Sequence, residues 1–175
     1  MRKAFLLTIA VAIVLALAGG VSAAGKIGVG YYFHQSDSAM SLAGELGLSD
    51  RLAFGFDYVA QAGEEPSKTE LYGKLALKDL GVTSVGAFGG VKMTGASNTS
   101  FKVGLYGEQP ITPQIDAYAR AGAAFEGSAS SVWLEALGGV KVNVMSPFWL
   151  AGEALYNSRE GADGTAFRVI VGMNF

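Results

Sequence analysis

The chain has 175 residues, no cysteine and a formal net charge of −2, from 13 basic and 15 acidic residues. Disulfides and thiolate metal sites are excluded, one histidine makes no zinc ligand set, and the acidic balance argues against nucleic acid as a partner. Glycine, at 25 residues, is about twice its usual share.

The first element is a leader. Arg2 and Lys3 precede an apolar run from Ala4 to Ala18, and small residues come after it. That run is short for a spanning helix and suited to a secretory signal. Val21-Ser22-Ala23 fits cleavage after Ala23, and Ser22-Ala23-Ala24 fits nearly as well; an uncleaved anchor is the alternative. The expected division is a signal peptide over 1–23 and one domain over 24–175. The domain keeps 11 basic against 15 acidic residues, a net charge of −4. It has no second long apolar run and so no expected transmembrane helix.

Beyond the leader the chain alternates with period two, the mark of strands with one apolar and one polar side. In RLAFGFDYVAQ (51–61), Leu52, Phe54, Phe56, Tyr58 and Ala60 share a face opposite Arg51, Asp57 and Gln61, with Val59 the apolar exception. TELYGKLALK sets Leu71, Leu75 and Leu77 against Glu70, Lys74 and Lys78. The pattern predicts ten strands near 25–34, 39–47, 51–61, 68–78, 82–93, 99–108, 113–126, 130–143, 147–157 and 164–175. Polar loops (HQSDS, GEEPS, GASNT, EGSAS, SREGADG) alternate with tight turns (GLSD, DLG, QPITP, NVMSP). All four prolines, Pro66, Pro110, Pro113 and Pro147, are expected in connections, because a proline cannot donate to a ladder.

The faces sort the charges. Val29, Tyr31, Phe33, Leu42, Leu75, Val103, Leu105, Leu134, Leu150 and their in-phase neighbours form an apolar face without a charged residue. The other face carries Lys26, Glu45, Arg51, Asp57, Glu70, Lys74, Lys92, Lys102, Asp116, Arg120, Glu135, Lys141, Glu153 and Arg168. A soluble sandwich or barrel would turn the apolar face inward; a transmembrane barrel turns it to lipid. Inversion is favoured by the alanine run Ala117, Ala119, Ala121 and Ala123, which would fill a core poorly. It is also favoured by aromatics near the strand ends, Tyr31, Phe33, Tyr58, Phe101, Phe125, Tyr156 and Phe167 at one end and Phe148 and Phe175 at the other. The expected fold is an all-β, closed antiparallel transmembrane β-barrel of about ten strands in meander order, with eight as the alternative. An even number puts both ends of the sheet on the side of the tight turns.

The last strand, FRVIVGMNF, has Phe167, Val169, Val171, Met173 and Phe175 in phase. With the leader and the glycine-rich, cysteine-free strands, it resembles the small, porin-like bacterial outer-membrane β-barrel proteins. In that family a terminal strand closing on an aromatic residue is the signal read by the barrel-assembly machinery. The resemblance implies a Gram-negative outer-membrane location after export through the inner membrane. The implied partners are periplasmic chaperones and the assembly machinery during biogenesis, then outer-membrane lipids and lipopolysaccharide. It covers the whole domain but supplies no activity.

Pairing residues about each loop centre predicts an interior network Arg120–Glu135–Glu153–Arg168, with Asp57–Lys74 a second pair. One reading is a polar plug that holds the barrel in register. The sharper one is a gate, for which the interior-phase glycines Gly28, Gly30, Gly55, Gly86, Gly90, Gly104, Gly122 and Gly139 would leave space. Lys92 and Lys102 pair near the outer mouth, where they would attract an anionic solute or a lipopolysaccharide phosphate, or else reach water, Glu108 or Glu70. Trp133 and Trp149 point inward in this register; a bulge or a one-residue slip would turn either outward.

No catalytic residue, cofactor or metal is expected. His34 has Ser36, Asp37 and Ser38 nearby, but neighbours along one strand end do not converge as a nucleophile, base and acid must, and G-x-S-x-G is absent. The function expected is a structural or narrow-channel outer-membrane barrel, with a passive small-solute porin and a lipid-modifying enzyme as alternatives.

Overall fold

The computed structural model describes residues 24–35, 37–61, 63–80, 83–95, 98–126, 132–159 and 164–175. The expected signal peptide over 1–23 lies outside them, as does Ser36. Among the described residues no helix is long and apolar enough to cross a membrane, which says nothing of a β-barrel.

Ten strands form one closed sheet: β1 (Gly25–His34), β2 (Asp37–Gly47), β3 (Leu52–Val59), β4 (Lys68–Leu80), β5 (Thr83–Thr94), β6 (Asn98–Thr112), β7 (Ile115–Glu126), β8 (Val132–Met145), β9 (Phe148–Asn157) and β10 (Gly164–Asn174). Each pairs antiparallel with its sequence neighbours, and β1 pairs with β10, so the expected ten-strand meander is what forms. Gly25 and Phe175 complete the closure by donating their backbone N–H groups to each other's carbonyls at 2.8 and 2.9 Å. Closure leaves no strand of this sheet at an edge, which removes the hazard that exposed ladders carry.

The strands end slightly differently from expectation. Arg51 is exposed in the turn before β3 rather than on its polar face. Pro110 lies inside β6, not in the connection, at the point where the β6–β7 register shifts between Pro110 and Thr112. A bulge interrupts the ladder there, so the missing N–H is tolerated.

The apolar phase faces outward. Val29, Leu105, Val132, Val144, Phe167 and Val171 are all more than half exposed. Phe56 is the exception on this face, because its ring folds over Gly44 of the adjacent strand, where a β-carbon would collide with it. The inward phase carries the charges together with a second set of apolar groups. Tyr32, Ala39, Val59 and Ala166 form one buried cluster, and Trp149, Ala151 and Ile170 another. Val59, the apparent exception in the sequence, packs in the first.

The inward glycines do not leave open space. A β-carbon at Gly28 or Gly172 would strike the Trp149 ring, at Gly55 the Tyr72 ring, at Gly86 the Tyr106 ring, at Gly104 the Phe88 ring and at Gly139 the Tyr118 ring. Gly30 and Gly90 lie against neighbouring backbone. Glycine is thus the seat for a large ring on a nearby strand, and the expected free volume is filled. Trp133 and Trp149 are both buried on the inner side, as their register placed them. The β8–β9 bulge falls between Asn143 and Met145, at the turn end, and rotates neither.

Candidate functional site

Alternation brings charges from eight strands into the lumen, where they join in a single line. Lys92 Nζ meets Glu135 Oε1 at 2.7 Å, and Lys102 Nζ meets Glu135 Oε2 at 2.7 Å. Lys102 also holds Glu70 Oε2 at 2.9 Å, whose other oxygen lies 3.4 Å from Arg120 Nη1. Arg120 Nη2 reaches Asp57 Oδ2 at 2.9 Å, and Arg168 Nη1 reaches Asp57 Oδ1 at 2.7 Å. Arg168 then donates through Nε (2.6 Å) and Nη2 (2.5 Å) to Glu153 Oε2. Tyr118 Oη ends the line by donating to Glu153 Oε1 at 2.6 Å. Signs alternate throughout, four cations with four anions, so the line is neutral. Charges withdrawn from water persist only when matched in this way. Aromatic rings support it: the Arg120 guanidinium lies 4.7 Å from the Tyr72 ring centroid, and Trp133 Nε1 donates to Glu135 at 3.0 Å.

Towards the turn end is a separate cluster. Glu45 accepts from Lys26 at 3.1 Å and from Lys74 at 2.8 Å, and Lys74 also meets Glu108 at 2.5 Å; Lys141 pairs with Asp116 at 2.9 Å. At the loop end, Glu65 holds His34 Nδ1 at 2.7 Å and Lys68 at 2.9 Å, while Arg159 pairs with Glu126 at 2.7 Å.

The line separates two spaces. A vestibule of roughly 600 Å³ opens at the loop end and a smaller cavity of roughly 100 Å³ lies on the turn side. Asp57, Arg120, Leu137 and Arg168 border both. They form the partition.

The expected pairings are partly corrected. Glu153 and Arg168 are cross-strand partners, as the loop centre predicted. Arg120 does not meet Glu135: the β7–β8 register sets Leu137 opposite Arg120 and Gly122 opposite Glu135. Glu135 and Glu153 are not neighbours, since their partners across β8–β9 are Asn157 and Gly139. Asp57 lies opposite Glu70 and Lys74 opposite Ala53, so Asp57 turns to the two arginines and Lys74 joins the turn-end cluster. Lys92 and Lys102 are diagonal neighbours whose amines share Glu135, so they present no uncompensated basic patch; the alternative contact of Lys102 with Glu70 forms. Hairpin pairing reaches neither Tyr118 nor the contact of Glu70 with Arg120. Their inward phase is visible in the sequence, but these partners lie on strands that are not adjacent in the sheet.

Phe167, Val169, Val171, Met173 and Phe175 all face outward and are exposed. Ser38 pairs with Phe33 on the outward phase while His34, opposite Asp37, lies on the inward phase and holds Glu65, so Ser38 and His34 point to opposite faces. Those residues contain no group of three or more His, Asp or Glu placed to hold a metal.

No protein-family model matches the chain, and no curated protein matches it. Solved structures do. The KdgM porin superposes with a TM-score of 0.55 at 14% identity, covering 86% of this chain and 99% of that one. An outer membrane channel from Pseudomonas putida F1 gives 0.54 at 11% identity, over 90% and 97%. The Yersinia pestis outer membrane protein Ail, solved in a phospholipid bilayer nanodisc, gives 0.50 at 11% identity, over 88% and 100%. At such identities what is shared is the architecture: this chain has the fold of small outer-membrane β-barrels.

Proposed function

We propose that this chain is an integral protein of the bacterial outer membrane, exported with residues 1–23 removed as its signal peptide, and that its lumen is closed by its own ion pairs. Its role on this reading is structural, or that of a narrow channel at rest. The outward face supports the location. Contiguous exposed valine, leucine and phenylalanine far exceed what a soluble monomer carries, and lipid is the solvent that suits them. The terminal stretch from Phe167 to Phe175, exposed in phase, would be offered to the assembly machinery; outer-membrane lipids and lipopolysaccharide would surround the folded barrel.

The observation that carries the closed lumen is the neutral line from Lys92 to Glu153, in which each charge has a partner. Recording from purified protein in planar bilayers tests it. Absence of steady current from a folded, heat-modifiable preparation is the expected result; a large, constantly open conductance would refute closure.

A passive small-solute porin is the second reading. It is favoured by two spaces meeting at one thin partition, and one structural neighbour, the KdgM porin, has been solved in complex with disordered oligogalacturonate. Open conductance in the same recording would select it. A lipid-modifying activity has no such support, since Ser38 faces away from His34.

A further inference from the structure

We propose that Asp57 is the latch of the partition and the residue that sets its charge selectivity; this rests on the outer-membrane reading above. Four side chains border both internal spaces, and three of them are Asp57, Arg120 and Arg168. Arg120 projects from β7 and Arg168 from β10, and each places one nitrogen on a different oxygen of the same carboxylate. Asp57 is therefore the one anion that both guanidiniums share. Among the described residues it is also the only ion-pair link between two halves of the line. On one side are Lys92, Glu135, Lys102, Glu70 and Arg120; on the other are Arg168 and Glu153.

Removing the carboxylate leaves Arg120 attached to Glu70 on β4 and Arg168 attached to Glu153 on β9. Like charges no longer bridged separate, and each guanidinium retreats toward its remaining partner. The gap opens where the two spaces meet. The line is then left with one excess positive charge beside that gap, and a passage lined by one sign concentrates its counter-ions. The opened passage is anion-selective. Leu137, the fourth bordering residue, carries no charge to oppose this.

The test is reversal potential across a planar bilayer under a potassium chloride gradient, with each variant first checked for heat-modifiable migration. Asp57→Ala is expected to conduct well above wild type, with the reversal potential shifted toward that of chloride. Asp57→Asn, which keeps the side-chain shape, is expected to shift in the same direction with a smaller rise in current. Adding Arg168→Gln to Asp57→Ala should abolish the shift. Asp116→Asn, which removes a lumen carboxylate paired one-to-one with Lys141 away from the partition, should leave wild-type behaviour unchanged. Folded, inserted Asp57 variants that stay silent, or that select cations, overturn the latch while leaving the outer-membrane reading intact. A wild-type protein that stays soluble and monomeric without detergent overturns that reading itself, and the latch with it.

Discussion

Arg168 and Glu153 face each other directly across the β9–β10 ladder, and two guanidinium nitrogens converge on one carboxylate oxygen at 2.6 and 2.5 Å. Both side chains are more than nine-tenths buried. Removing one partner of a buried pair leaves the other uncompensated. Glu153→Ala, which also strips Tyr118 of its acceptor, is expected to cost about 3 kcal/mol. Equilibrium urea unfolding in lipid vesicles measures this. The double variant with Arg168→Met should lose less than the sum of the two single losses, since the two sites share one interaction.

Ring-over-glycine packing predicts a contrast between neighbouring positions. Gly172→Ala drives a methyl group into the Trp149 ring and should destabilise by about 1–3 kcal/mol. Gly152→Ala, on the outward face with nothing within 4 Å, should lie within about 0.5 kcal/mol of wild type. The same unfolding measurement reads both, and shrinking the ring with Trp149→Leu should relieve the first only in part, because the β-carbon still meets the Ile27 carbonyl oxygen.

Leu105, two-thirds exposed at the middle of β6, distinguishes lipid from water as the outer solvent. Leu105→Arg should cost about 2–4 kcal/mol in vesicles, whereas Ile111→Arg, near the turn end of the same strand, should cost under about 1 kcal/mol. Equal, negligible losses at both positions would indicate a barrel surrounded by water.

Phe175 combines two backbone hydrogen bonds to Gly25 with an exposed ring. Phe175→Ala keeps the hydrogen bonds and removes the ring. It should lower the folded fraction in cells sharply while changing the unfolding free energy of already folded protein by less than about 1 kcal/mol. Comparing heat-modifiable band intensity from cells with vesicle unfolding separates the two effects.

The strands and their faces were legible because a period of two needs no knowledge of neighbours. Partners were not, because they depend on where each loop is centred. Each misplaced pair slipped by an even number of residues: Glu70 rather than Lys74 opposite Asp57, Leu137 rather than Glu135 opposite Arg120, Gly90 rather than Lys92 opposite Lys102. An even slip keeps every side chain on its face and changes only whom it meets. The charges were therefore correctly sent inside and then paired with the wrong residues. Glu153–Arg168 survived because its loop centre was read correctly. The contacts that unite the line, such as Asp57 with Arg120 and Arg168, cross the lumen between strands that are not neighbours in the sheet. No hairpin reading reaches them. The interior rings hid for the same reason, since the glycine that seats each ring lies on another strand.

The mutual hydrogen bonds of Gly25 and Phe175 impose an order of events. Residue 25 can pair with Leu46 on β2 early, but its other side has no final partner until residue 175 arrives, so the ring cannot close before then. Until that seam forms the sheet carries two raw edges, and the seam is the longest-range pairing in the described fold. Something must keep the first strand available until then. Such a barrel cannot mature gradually from one end; it stays open until a single seam completes it.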